Sequence, residues 1–299
     1  MIEWGVQKEQ SISIGRACRV LNYPRSQWYY KTCRDNSAVV DKLQWLAEKY
    51  RNKGFDTYYK LIRKEGLIWN RKRVLNVYRL LGLKFKKRGK HRLPARVKQP
   101  LTAAAGINTT WSMDFMSDAL TNGRRIRILN VMDDYSREAL VVHADYSIPS
   151  ACVIAQLEIL EQQRGLPSMI RVDNGPEFTS MEFTQWCEQK NIQILFIQPG
   201  KPTQNAYIER MNKTYRNDIL NAYLFDTLEQ VRVLSDEWQW IYNHELPHGS
   251  LGDMTPYEFR QLAVNSGKLP THASTAEFTT INSHNNSNNR NEKLMISLN

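Results

Sequence analysis

Residues 109–118 read TTWSMDFMSD, and the nature of this stretch decides the fold. Polar and apolar side chains roughly alternate, the period of a strand with one face turned inward. Asp114 sits inside that alternation. A charged group in an apolar strand has to meet solvent, a partner or a cation. Outward from there the pattern repeats. Residues 124–134, RRIRILNVMDD, read as a second strand and 138–146, EALVVHADY, as a third. Asn122–Gly123 between the first two is a hairpin signal. Residues 150–164 read as a helix with Val153, Ile154, Leu157 and Leu160 inward. Then come a short buried strand (MIRVD, 169–173), a helix (SMEFTQWCEQKN, 180–191) and a fifth strand (IQILFIQ, 192–198). Residues 203–220 and 226–243 read as two further helices.

Three consecutive strands followed by helix, strand, helix, strand and helix is the order of an RNase H-like α/β core, a mixed five-stranded sheet with flanking helices. Three acids stand where such a core would gather them. Asp114 lies in the first strand. Asp173 closes the fourth, in RVDNGPEF, where Asn174–Gly175 makes a tight exit turn and ligands of α/β folds collect. Glu209 lies on the helix in TQNAYIERMNKTY, which can pack beside both strands. Cutting a phosphodiester requires activating the attacking oxygen and stabilising the leaving one. Two Mg²⁺ ions about 3.5–4 Å apart do both, and hard carboxylate oxygens hold them. Glu177 reads as a residue of the loop before a helix, favoured by the helix dipole. Asp118 and Asp133 rank below the trio, because a lone strand aspartate is usually a turn or cap residue. Lys213 and Arg216 follow Glu209 at helical spacing and can hold phosphates. Arg210 can pair with a carboxylate instead, and Lys201, Gln204 and Asn205 can touch a DNA end.

The N-terminal part reads as all-α. In SISIGRACRVLNYPRSQWYY (11–30) Ser13 can cap a helix with Ile14, Ala17, Cys18 and Leu21 on one face, and Ser26 can start a second. AVVDKLQWLAEKY (38–50) is amphipathic, with Val39, Leu43, Leu46 and Ala47 inward. Thr57 can cap the next helix, and Gly66 ends it. Asn70 can cap NRKRVLNVYRLLGL (70–83), whose apolar side is Val74, Val77, Leu80 and Leu81. Arg71, Lys72, Arg73 and Arg79 form its basic flank, as a helix that enters a DNA groove requires. Residues 84–100, KFKKRGKHRLPARVKQP, form a basic strap whose Lys86, Lys87 and Arg88 can neutralise phosphates without reading bases.

Charge supports this division. Of 41 Lys+Arg and 30 Asp+Glu in the 299 residues, residues 1–100 hold 25 of the basic and 7 of the acidic ones. The remainder is mildly acidic. A basic arm joined to a domain that keeps its carboxylates suits a polyanionic partner. Cys18, Cys33, Cys152 and Cys187 form no C-x-x-C pair, which argues against a zinc site and for a reducing compartment. No apolar run approaches the roughly 20 residues of a membrane span, so a cytoplasmic, nucleoid-associated location is expected. The organisation read from the sequence is a helix-turn-helix-type region over 1–90, a basic linker over 91–106, the catalytic core over 107–265, and a low-complexity tail over 266–299 that is expected to be disordered.

Together WSMDFMSDAL, NGRRIRILNVMDDYSRE, RVDNGPEF and GKPTQNAYIERMNKTYRNDIL resemble the OrfB transposases of the insertion-sequence-three family, within the DDE integrase superfamily. The 35 residues between Asp173 and Glu209 match that family's spacing. GFDTYYKLIRKEGLIWNRKRVLNVYRLLGLKFK and SISIGRACRVLNYPRSQWYY resemble its N-terminal DNA-binding region, so the resemblance spans roughly residues 10–265. It implies that Asp114, Asp173 and Glu209 are catalytic metal ligands for two Mg²⁺ ions, with Mn²⁺ able to substitute. It implies terminal inverted repeats and target DNA as partners, a multimer on paired ends, and cleavage exposing a 3′-hydroxyl that attacks a second phosphodiester. It also implies joining by frameshift to an upstream OrfA product that supplies a coiled coil; this chain has no sustained heptad repeat. The pattern departs at one place. In IYNHELPHGSLGDMTPYEF, Leu246 stands where relatives have an arginine before Pro-His.

Three readings follow. The first is an active strand-transferring transposase. The second is a DNA-binding partner or inhibitor of a full-length transposase, without catalysis. The third is an RNase H-like hydrolase of RNA–DNA hybrids, against which the basic helices and the 35-residue gap argue.

Overall fold

The structure is a computed structural model that describes residues 13–29, 35–83, 104–198 and 205–266. Five helices come first: α1 (Ile14–Val20), α2 (Arg25–Tyr29), α3 (Ser37–Lys49), α4 (Phe55–Lys64) and α5 (Arg71–Leu80). Ser13 and Asn70 cap α1 and α5 as expected, accepting from the backbone N–H of Arg16 and Lys72. Ser26 and Thr57 do not act as caps. Pro24 already turns the chain into α2, and extended Gly54 opens α4 with Asp56 in its first turn, so both hydroxyls lie inside their helices. Val39, Leu43 and Leu46 pack against Tyr58, Leu61, Ile62, Val74, Val77 and Tyr78. Leu80 was expected in that core and instead faces water, 84% exposed. At 100° per residue it has rotated away from Val74 and Val77, and Tyr78 fills the space. On α1 only Cys18 is buried, and Leu21 is exposed.

The second unit is built on β1 (Thr110–Ala119), β2 (Arg125–Asp133), β3 (Ala139–Asp145), β4 (Met169–Val172) and β5 (Gln193–Phe196). The sheet runs β3-β2-β1-β4-β5. The first three strands are antiparallel, and β4 and β5 run parallel to β1. This is the RNase H-like arrangement. Gly123, at φ 81, makes the first hairpin turn by donating its N–H to Leu120. Around the sheet lie α6 (Ser150–Arg164), α7 (Pro176–Thr179), α8 (Met181–Gln189), α9 (Ala206–Tyr215), α10 (Leu228–His244) and α11 (Pro256–Asn265). Strand alternation sends Met116, Ile126 and Ile128 to one face, under α9 and α10. Trp111, Met113, Leu129 and Val131 go to the other, under α6 and α8. The outer edge of β3 is closed by side chains. Gln239 and Asn243 donate to the carbonyl of Ala139, and Arg232 donates to that of Ala144.

The helix expected over 203–220 is α9 followed by a wider π-helical turn, Arg216–Leu220. Two helices were not anticipated. One is the single turn α7. The other is α11, although Thr255, Pro256 and Glu258 spell a capping box with proline at the first helical position. The linker is described only from residue 104. Lys86, Lys87, Arg88, Lys201, Gln204 and the tail beyond 266 lie outside the described residues.

The helical unit docks on the core through a row of lysines. Lys49 meets Glu245 at 2.9 Å and Lys64 meets Glu258 at 2.6 Å; Lys53 and Lys60 pair with Asp218 and Asp253. Leu246, buried, joins the apolar cluster of the helical unit. The missing arginine is thus replaced by an apolar contact across this seam. Among the described residues no helix is long and apolar enough to cross a membrane.

Candidate active site

Asp114 lies mid-way along β1, directly opposite Asn130 of β2. Its carboxylate accepts from the N–H of Phe115 at 2.9 Å and from Asn212 Nδ2 at 2.7 Å. Asn212 lies one turn after Glu209 on α9, and its own oxygen accepts from Asn130 Nδ2 at 2.7 Å. This relay pins α9 to the two strands and aims Asp114. Asn130 Oδ1 is buried without a hydrogen-bond partner among the described residues. Burial, reinforced by the charges of Asp173 and Glu209, pushes the Asp114 carboxyl up to about 6 against the pull of its two hydrogen bonds.

Asp173 is exposed, just beyond β4, and accepts from the N–H of Gly175 at 3.0 Å. A Cβ at position 175 would stand 3.0 Å from that carboxylate oxygen and 3.4 Å from Glu177 Oε2, so a larger residue there would make the two acids shift. Glu209 projects exposed from the first turn of α9, and partial burial raises its carboxyl above the usual value. None of the three acids forms an ion pair among the described residues. The structure brings them within electrostatic reach of one another. It does not close them into a cage: among the described residues no three His, Cys, Asp or Glu side chains are close enough to hold a metal ion.

The neighbouring acids behave differently. Asp133, fully buried, accepts from the N–H groups of Asn108, Tyr135 and Ser136 and lies 3.6 Å from Arg164. Asp134 pairs with Arg171 and accepts from Ser112 Oγ at 2.6 Å. Glu138 takes Arg164 at 2.8 Å and Arg260 at 3.1 Å. Glu177, expected in the loop before a helix, lies instead in the first turn of α7, and it pairs with Arg127.

The expected DNA contacts divide in the same way. Arg71 pairs with Asp56 and lies over the ring of Phe55 at 5.2 Å. Arg73 donates to Asn36 at 2.9 Å and to the carbonyl of Asp35. Arg216 donates to the carbonyl of Ser117 at 2.9 Å and to Asp118 at 3.3 Å, strapping the end of α9 to β1. It therefore does not stand free beside Lys213. Lys72 and Lys213 are exposed and unpaired among the described residues. Arg210, expected as a carboxylate partner, has none there. Asn205 is buried at the start of α9, its Oδ1 without a partner among the described residues. Asn130 and Asn212 escaped the sequence reading altogether.

The integrase core domain matches this chain twice, over residues 104–202 and 190–256. An uncharacterized 31.7 kDa protein of insertion element IS407 from Burkholderia multivorans is 36% identical over 256 residues, 85% of this chain and 92% of that protein. The chain belongs to the integrase core family of insertion-element proteins. Membership makes it a polynucleotidyl transferase of the transposase and integrase class, working in DNA transposition. The transposase for insertion sequence element IS904 of Lactococcus lactis is 23% identical, over 76% of this chain and 95% of its own length. Among solved structures, the catalytic core domain of HTLV-2 integrase in complex with magnesium is 19% identical, with a TM-score of 0.40, covering 51% of this chain and 96% of that one.

Proposed function

We propose that this integrase-core protein is a DDE transposase of the OrfB, insertion-sequence-three type, and that Asp114, Asp173 and Glu209 hold its divalent cations. One observation carries the reading. Asp114 is a half-buried carboxylate with no cationic partner among the described residues, facing two more acids, while each buried acid around it has its own arginine. Such a site has a deficit of positive charge and offers hard oxygen donors, which suits Mg²⁺ or Mn²⁺. A pair of such ions would supply the activation of the attacking oxygen and the stabilisation of the leaving one.

The chain's own residues do the rest. Asn212 holds the Asp114 carboxylate in one orientation. Arg216 fixes the helix that carries Glu209 to the strand that carries Asp114. Lys213, one turn beyond Glu209 and exposed, would bind a phosphate in this reading. The DNA partners in this reading are the terminal inverted repeats and a target duplex, handled by a multimer, with the upstream OrfA product as a further partner. The setting is the bacterial cytoplasm, on the nucleoid.

The test is strand cleavage and joining on a labelled duplex that carries the element's own ends. Joined product that needs Mg²⁺ or Mn²⁺, vanishes in EDTA and vanishes in Glu209→Gln is the expected result. Tight binding to the ends without product, even with the upstream partner added, would overturn the catalytic assignment in favour of a DNA-binding relative.

A further inference from the structure

The three basic residues that open α5 do not form one DNA-facing set, because Arg71 and Arg73 are engaged within the helical unit. What α5 turns to solvent is a narrower stripe. Lys72, Asn76, Arg79 and Leu80 are all exposed. At 100° per residue they fall within about 100° of the helix circumference, opposite Val74 and Tyr78. Their side chains make no hydrogen bond or ion pair among the described residues. Ile68, in the turn before the helix, is 84% exposed, as is Leu80, and both line the same shallow groove as Lys72 and Asn76. Two large aliphatic side chains lining one groove beside an amide and a lysine make a mixed surface on which a partner can pack.

From Lys72 to Leu80 the stripe is about 12 Å long, close to the width of the DNA major groove. Its chemistry matches base edges there. An Asn amide pairs with the N6 and N7 of adenine, and an exposed aliphatic side chain packs on the methyl of thymine. The cations stand where phosphates flank a groove. Residues 1–100, with 25 basic against 7 acidic side chains, supply the complementary charge.

We infer that α5 reads the DNA sequence through Asn76 and Leu80, with Ile68 beside them, while Lys72 and Arg79 position the helix on the phosphates. The site is an A·T-containing step of duplex DNA. The inference rests on the transposase reading only in supposing that the protein binds DNA.

The test uses the full-length protein. Wild-type chain selects a preferred site from duplexes with a randomised centre. Fluorescence anisotropy then compares that site with a scrambled duplex of the same composition. Asn76→Ala and Leu80→Ala should each lower the preference for the selected site by about 10- to 100-fold, with scrambled-duplex affinity and melting temperature unchanged. Lys72→Ala should weaken both duplexes alike and lower the salt dependence by about one phosphate. Full preference retained in both Asn76→Ala and Leu80→Ala would overturn the inference. So would equal weakening of both duplexes by those variants, or wild-type binding that selects no site. Wild-type protein that binds no duplex at all would overturn the DNA-binding reading itself. Protection of Leu80 and Ile68 by a second copy of the chain, in place of DNA, would assign the groove to self-association and overturn the inference as well.

Discussion

Two groups of carboxylates lie around the same sheet and have opposite surroundings. Asp133, Asp134 and Glu138, around the β2–β3 turn, are each matched to arginine: Arg164, Arg171 and Arg260. Asp114, Asp173 and Glu209 have no cation among the described residues, and each raises the cost of ionising Asp114 or is itself Asp114. A buried acid with its own guanidinium is part of the framework. Acids left facing one another fit the site proposed above, where the compensating charge would arrive from outside. Taken singly, Asp114 is no more distinctive in the sequence than Asp133 or Asp134; only its joint placement with Asp173 and Glu209 ranks it above them, and the arginines that answer Asp133 and Asp134 appear only in the fold.

The largest expected effect follows directly. Asp173→Asn or Glu209→Gln should reduce joined product by about 10³-fold or more, because hard-cation chemistry loses a ligand. Thermal stability should hold or rise, since one of three repelling charges is gone. A fall in stability with activity kept would place these acids with the framework and dissolve the contrast.

The converse is Arg171→Met. It leaves Asp134 buried without its partner and should destabilise the protein by about 3–5 kcal/mol in urea unfolding. Asp134→Leu added to it should recover much of the loss, because an apolar pair does not need the compensation. An Arg171→Met protein as stable as the wild type would mean that Asp134 is neutral or solvated, and that the two groups are less different than their contacts indicate.

Next in size is the seam between the helical unit and the core. Leu246→Arg restores the residue that the resemblance leads one to expect, yet inserts a guanidinium into an apolar cluster beside Lys49 and Lys53. A loss of about 2–3 kcal/mol is expected, measured by thermal unfolding. A neutral or stabilising result would show that Glu245 or Asp218 can accept the new charge.

These contrasts also mark what could be read from the chain alone. The five strands were legible because alternation and the Asn-Gly turn act over a few residues, and the Asp-Asn-Gly exit likewise marks where β4 ends, just before Asp173. The capping box of α11 was equally local and was simply passed over. Leu80 was misplaced because Tyr78 competes for the same core position, and only packing decides between them. The roles of Arg71, Arg73 and Arg216 depend on partners 15, 37 and 98 residues away. Asn130 and Asn212 are ordinary polar residues until the fold sets one across from Asp114 and the other against it.

The smallest effect concerns a third way of handling charge. His248 sits among Arg210, Arg137 and Lys53, against the ring of Tyr242 at 4.9 Å. Burial first, then these cations, lowers its imidazole to about 4 from the usual 6.5. The folded protein therefore keeps His248 neutral where the unfolded chain would protonate it. Its contribution is present above pH 6.5 and is lost as pH falls toward 4, the loss amounting to about 2 kcal/mol by pH 5. Urea unfolding of wild type and His248→Gln at pH 7.5 and pH 5 isolates it from the other titrating groups. The wild type should lose more stability than the variant on acidification. Equal losses would mean that His248 protonates freely in the fold, and that the cations around it, like those on the exposed face of α5, are shielded by water rather than held at a distance by a neutral ring.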